Sequence, residues 1–169
     1  MINLRLSGIL PESIVDGWGV RFTIFSQGCE FNCPDCHNPQ THDINGGYEI
    51  DINEIFNQIK ATPIISGVTF SGGEPFLQAK AFSKLAKIIH THTKLNIITY
   101  TGYIFEELIK ISSYNIDFKN LVFESDFIID GRFENDKKTL DLKFRGSTNQ
   151  RIILVKESLK AEKIIEKND

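Results

Sequence analysis

Residues 64–92 read IISGVTFSGGEPFLQAKAFSKLAKIIHTH, and this stretch decides the fold class. Ile64 to Phe70 is rich in β-branched and aromatic residues and predicts a strand, which Ser71-Gly72-Gly73 breaks. Leu77 to His92 then spaces its apolar residues as a helix, with Leu77, Leu85, Ile88 and Ile89 as the expected buried stripe.

The order strand then helix recurs outward from that stretch. Upstream, Arg21 to Gln27 (RFTIFSQ) predicts a strand running into a glycine and cysteine loop, and Asp51 to Ala61 predicts a helix burying Ile52, Ile55, Phe56 and Ile59. Asp51 is its expected N-cap, with Glu54 completing a capping box. Downstream, Leu95 to Tyr100 reads as a strand and Tyr103 to Ile111 as a helix. Phe127 to Asp130 and Ile152 to Val155 are short runs of strand type, and Lys156 to Lys167 reads as a closing amphipathic helix with Leu159 and Ile164 or Ile165 inward. Parallel neighbours need crossover connections, so the expected class is α/β, a mostly parallel sheet with outer helices. A full eight-unit barrel takes about 250 residues, so these 169 residues allow only a partial, open (β/α) barrel. With 41% hydrophobic residues and no linker or repeat, residues 1–169 are expected to form a single domain.

A net charge of -3 gives no bulk attraction to nucleic acid or to anionic lipid. No stretch approaches the roughly 18 apolar residues of a membrane helix, and Met1 to Leu10 lacks the basic start and cleavage site of a signal peptide, so the expected location is cytoplasmic.

The three cysteines of the chain, Cys29, Cys33 and Cys36, fall in one C-x3-C-x2-C loop. Three thiols this close cannot staple distant segments, and in a reducing compartment they read as soft metal ligands. A four-iron cluster normally takes four thiolates, so three leave one iron open to a substrate. The alternative is a structural zinc site completed by His37 or His42. An electron-carrier cluster protein would call for a fourth cysteine. His37 reads more simply as a hydrogen-bonding group of the loop. In Ser71-Gly72-Gly73-Glu74-Pro75 the glycines would let backbone approach a ligand and Glu74 would offer a carboxylate to an ammonium group; the plain alternative is a turn.

Together the two motifs resemble the radical S-adenosylmethionine superfamily, in which C-x3-C-x2-C follows the first barrel strand and a GGE-type turn follows the second. The resemblance implies a [4Fe-4S] cluster ligated by Cys29, Cys33 and Cys36, which are then the catalytic and metal-binding residues, and S-adenosyl-L-methionine bound to the open iron. It implies that Asp35, Cys36 and His37 lie alongside the cofactor and that Gly72, Gly73 and Glu74 clamp its amino-acid end. One departure is Asp35, where the superfamily often has an aromatic residue. Residues 16–22 (DGWGVRF), 36–38 (CHN), 130–133 (DGRF) and 144–150 (FRGSTNQ) are similar to the glycyl-radical-enzyme activases, in particular those of anaerobic ribonucleoside-triphosphate reductase. Here Trp18 replaces the commoner proline of a DGPG segment. That likeness implies an oxidoreductase that forms a 5′-deoxyadenosyl radical and, with it, a glycyl radical on the reductase. It implies an electron donor such as flavodoxin or ferredoxin, with an activase of another glycyl-radical enzyme as the alternative. Thr99, Thr101 and Asp130, at the ends of the middle strands, are the expected contacts for the ribose or the methionine carboxylate; strand-end threonines are also ordinary β formers.

Overall fold

The β-branched runs at the centre of the chain become four adjacent parallel strands in the computed structural model, which describes residues 1–168. In chain order these residues form β1 (Asn3–Ser13), β2 (Arg21–Ser26), β3 (Tyr48–Asp51), α1 (Ile52–Ala61), β4 (Gly67–Gly72) and α2 (Ala79–His92). There follow β5 (Asn96–Tyr100), α3 (Phe105–Ser112), α4 (Ile116–Glu124), β6 (Phe127–Asp130), β7 (Arg151–Leu154) and α5 (Val155–Ala161). The strand order is β3-β1-β2-β4-β5-β6-β7. β2, β4, β5 and β6 run parallel, while β1 and β3 on one flank and β7 on the other are antiparallel to their neighbours. In register, Ser26 lies opposite Gly72, Phe70 opposite Thr99 and Tyr100 opposite Ile129, so the carboxyl ends of the parallel strands gather along one edge.

Alternation along each strand sorts side chains onto two faces. Phe22, Ile24, Val68, Phe70, Ile97, Ile128 and Ile153 join a core that takes buried residues from all five described helices. Their neighbours Ile98, Ile129 and Ile152 form a second cluster with Trp18, Tyr100, Phe127 and Phe144, to which no described helix contributes. Helices therefore cover one face, and loops cover the other.

Several elements differ from expectation for identifiable reasons. β1 has no counterpart among the expected strands, because irregularities in its pairing between Leu6 and Gly8 and between Leu10 and Ser13 disrupt the alternation. α4 leaves Ile116 and Phe123 exposed, which blurs its stripe. α2 starts at Ala79 rather than Leu77, because Pro75–Gln78 forms a 3-10 turn that turns Leu77 outward at 38% exposure. The closing helix ends at Ala161, where Glu162 adopts a left-handed conformation. The chain then returns along β7, with Leu154 N–H donating to Ile165 O and Lys167 N–H to Ile152 O, so backbone bonds cover the sheet's edge. Asp51 caps α1 by accepting from Asn53 N–H, and its other oxygen accepts from Ile2 N–H, which ties β1 to that helix.

Candidate functional site

β2 ends at Ser26, and the chain after it is fixed at its root. Gly28 N–H donates to Thr41 O at 2.7 Å, Cys29 N–H to His42 O at 3.3 Å, and the Gln27 side-chain amide to Gln40 O and Asp43 O. Beyond Cys29 the loop turns through Asn32 and Asp35, both at positive φ, a conformation that Asn and Asp tolerate better than other side chains. A tight turn links Cys36 N–H to Cys33 O, and Asn38 N–H points at Cys36 Sγ at 3.4 Å.

The turn after β4 is sewn to that same root. Gly73 N–H donates to Ser26 O and Glu74 N–H to Gly28 O, each at 2.8 Å. A Cβ on Gly73 would stand 2.3 Å from Gly28 O, and one on Gly72, whose φ is +89°, would stand 2.5 Å from Ser26 N. These glycines are needed first for close approach of two backbones. Glu74 is 1% exposed; its carboxylate accepts from Phe76 N–H, Gly102 N–H and the Thr101 hydroxyl at 2.8 to 3.0 Å. Burial outweighs these donors and pushes its carboxyl up to about 7.

Above the strand ends lies a cleft of about 1000 Å³. Cys29, Cys33, Cys36, His37, Gly72, Gly73 and Glu74 line it, together with Tyr100, Thr101 and Gly102 after β5 and Gly131, Arg132 and Phe133 after β6. Trp18 and residues of the segment 138–146 complete its wall. Trp18 packs between Phe127 and Phe144 at 5.1 and 5.2 Å, and the Tyr100 hydroxyl donates to Phe144 O at 2.8 Å, so that wall is anchored to the sheet. Residues 130–133 and 144–150, which by composition alone pass for surface turns, clasp each other: Gln150 donates to Gly131 O and accepts from Gly146 N–H, and Asn149 donates to Arg132 O.

Among the described residues no group of three or more His, Cys, Asp or Glu side chains is gathered for a single metal ion. A four-iron cluster spreads its thiolates over separate irons, and three thiols along one wall of a roomy cleft, one of them facing an amide N–H, fit that donor set. Burial raises the Cys29 thiol, with Glu74 and Cys33 adding to it against the Phe31 and Asn32 amides. Burial and Cys36 raise Cys33 against the Phe133 amide and the Arg132 guanidinium. Loading a metal centre therefore releases protons.

Three expected cofactor contacts lie elsewhere. Thr99 shares the face of Ile97, is fully buried, and its hydroxyl is 2.8 Å from that of Ser125 at the end of α4. Asp130 shares the face of Ile128, accepts from Phe105 N–H at the start of α3 and pairs with Arg151. Both point to the helix side because a strand's parity, not its end, chooses the face. Asp35 is exposed and does not line the cleft. Tyr100, one residue after Thr99 and so on the opposite face, reaches the cleft instead; which of the two faces meets the cleft is set by the register between strands.

A family model described as a 4Fe-4S single cluster domain matches residues 15–153, a span holding the three cysteines and the Ser71–Pro75 turn. The chain is 32% identical over 155 residues to the anaerobic ribonucleoside-triphosphate reductase-activating protein of Salmonella typhimurium, covering 87% of this chain and 96% of that protein. It is 33% identical over 147 residues to the Escherichia coli protein of the same name, covering 83% and 92%. It is 36% identical over 118 residues to the pyruvate formate-lyase-activating enzyme of Clostridium pasteurianum, where it spans only half the length of that enzyme.

Proposed function

The chain belongs to the 4Fe-4S single cluster domain family and to the anaerobic ribonucleoside-triphosphate reductase-activating proteins, and from that premise we propose that it activates such a reductase by reductive cleavage of S-adenosylmethionine. The observation that carries this reading is the bond from Glu74 N–H to Gly28 O, which joins the cysteine loop and the glycine turn as walls of one cleft. A bound, reduced [4Fe-4S] cluster would supply one electron to S-adenosylmethionine, breaking a carbon–sulfur bond to give methionine and the 5′-deoxyadenosyl radical that would take a hydrogen from a glycine of the reductase.

The chain's own residues have distinct tasks. Cys29, Cys33 and Cys36 hold the cluster as thiolates, with the Asn38 amide bonding Cys36 Sγ. Gly72 and Gly73 leave the cleft wall without side chains there. Glu74 acts mainly by holding the ends of β4 and β5 together, its carboxylate being engaged by three donors of this chain. His37, 4.8 Å from the Phe133 ring, closes the cofactor side of the loop. Trp18, Tyr100 and Phe144 exclude water from their part of the wall. With helices on one face and the cleft at the strand ends, we read the fold as a partial, open barrel in one domain. No described helix is long and apolar enough to cross a membrane, and thiols kept reduced fit a cytoplasmic location with flavodoxin or ferredoxin as electron donor.

The test is anaerobic reconstitution with iron and sulfide, then reductant and S-adenosylmethionine, with and without the reductase. Formation of 5′-deoxyadenosine and methionine, lost in Cys36→Ala, and a glycyl radical signal on added reductase are the expected results. A full cluster that cleaves no S-adenosylmethionine even with the reductase present would overturn the reading.

A further inference from the structure

The stretch of the cysteine loop between Cys29 and Cys33 has few backbone anchors of its own, and one side chain does that work. Phe31 sets its ring edge-on to Tyr103 at 4.9 Å and lies so close over Gly102 that a Cβ there would stand 2.4 Å from the ring. Arg132 lies over the ring, its guanidinium carbon 4.3 Å from the centroid. Arg132 is itself held in place: Asn149 donates to its carbonyl at 2.8 Å, and next to it Gly131 N–H donates to Tyr103 O while Gln150 donates to Gly131 O. The following residue, Phe133, packs its ring 4.8 Å from that of His37 in the same loop. Among the described residues Arg132 has no carboxylate partner, although it lines the same cleft as the three cysteines.

From this geometry we propose that Arg132 is a positioning residue: stacked on Phe31, it clamps the loop of Cys29 to Cys36 onto the ends of β5 and β6 and fixes a positive charge on the Cys33 side of the cleft. The stack is a cation–π contact in which the planar guanidinium covers the ring face. The clamp is a property of the chain alone. The charge acts through the cluster and so rests on the function proposed above: a nearby cation favours the more negative, reduced state of a thiolate-bound cluster, and raises its potential.

Two measurements test the two parts. In the metal-free chain, hydrogen exchange of the 29–36 segment should quicken about two- to fivefold in Arg132→Gln, as a stack of this strength implies, while exchange in β4 and β5 stays as in the wild type. Unchanged loop exchange, or faster exchange everywhere, overturns the clamp. In the reconstituted protein, the midpoint potential of the cluster should fall in Arg132→Gln and return toward the wild-type value in Arg132→Lys, which restores charge without the planar stack. Equal potentials in wild type and Arg132→Gln overturn the charge part, as does a fall of the same size in Arg132→Lys. A wild-type chain that takes up no iron and sulfide sinks the proposed function instead, and leaves the exchange result standing.

Discussion

Glu74 N–H donates to Gly28 O at 2.8 Å, and one residue earlier a Cβ on Gly73 would stand 2.3 Å from the same oxygen. The glycine turn and the cysteine loop are thus built against each other, before any ligand is considered. Gly73→Ala must push backbone away from backbone, with no flexible side chain to yield. We expect a cost of about 1–3 kcal/mol and less iron bound per chain after reconstitution. Gly8→Ala, with nothing within 4 Å of the added Cβ, serves as the neutral comparison. Urea midpoints of the two variants check this; equal midpoints would refute the close approach.

Glu74 makes stability depend on pH in an identifiable direction. Its folded-state pKa, raised by burial to about 7 from 4.5, means the folded chain holds the proton more tightly than the unfolded chain. That contribution is fully present below about pH 4.5 and is lost as pH rises through about 7, a span worth up to a few kcal/mol. In the metal-free protein, the stability difference between wild type and Glu74→Gln should therefore shift against the wild type from pH 5 to pH 8. Parallel pH profiles would show that the carboxyl does not titrate there.

Asp126 works in the opposite sense. Burial opposes its ionisation, but His90, Lys156 and the Ile97 amide outweigh that and hold it at about 2, below 3.8. Its contribution is present above about pH 3.8 and is lost as pH falls through about 2. Discounted for solvent on its open side, Asp126→Asn should cost about 1–2 kcal/mol at pH 7, with the gap closing in acid. Thermal unfolding of the two proteins at pH 7 and pH 2.5 measures it.

Cys33→Ala removes a half-buried loop thiol, not a core side chain. Stability should change by less than about 1 kcal/mol, while iron and labile sulfide fall to background and the visible cluster absorbance disappears. Wild-type absorbance in this variant would remove Cys33 from the ligand set.

Much of the fold was legible locally. β2, β5 and β6 sit within about a residue of their expected limits, and α1 starts at its expected cap, because apolar period and capping chemistry are properties of short windows. Tertiary pairing supplied the rest. β1 forms by pairing with β2 and β3, and β3 by pairing with β1, while residues 163–167 leave the helical pattern because β7 offers them an unpaired edge.

Legible in the chain itself were the alternation of strand and helix from β4 to α3, the three-cysteine spacing and its order before the Ser71–Glu74 turn, since each is carried by residues near one another in the chain. Tertiary structure alone decided that Thr99 and Asp130 face the helices while Tyr100 faces the cleft, that Glu74 is buried against Thr101 and Gly102, and that Gly72 and Gly73 are glycines because β2 lies against them. The physical reason is the same in each case. Which face a strand residue occupies, and whether a polar group meets water or a partner, depends on the register between strands distant in sequence.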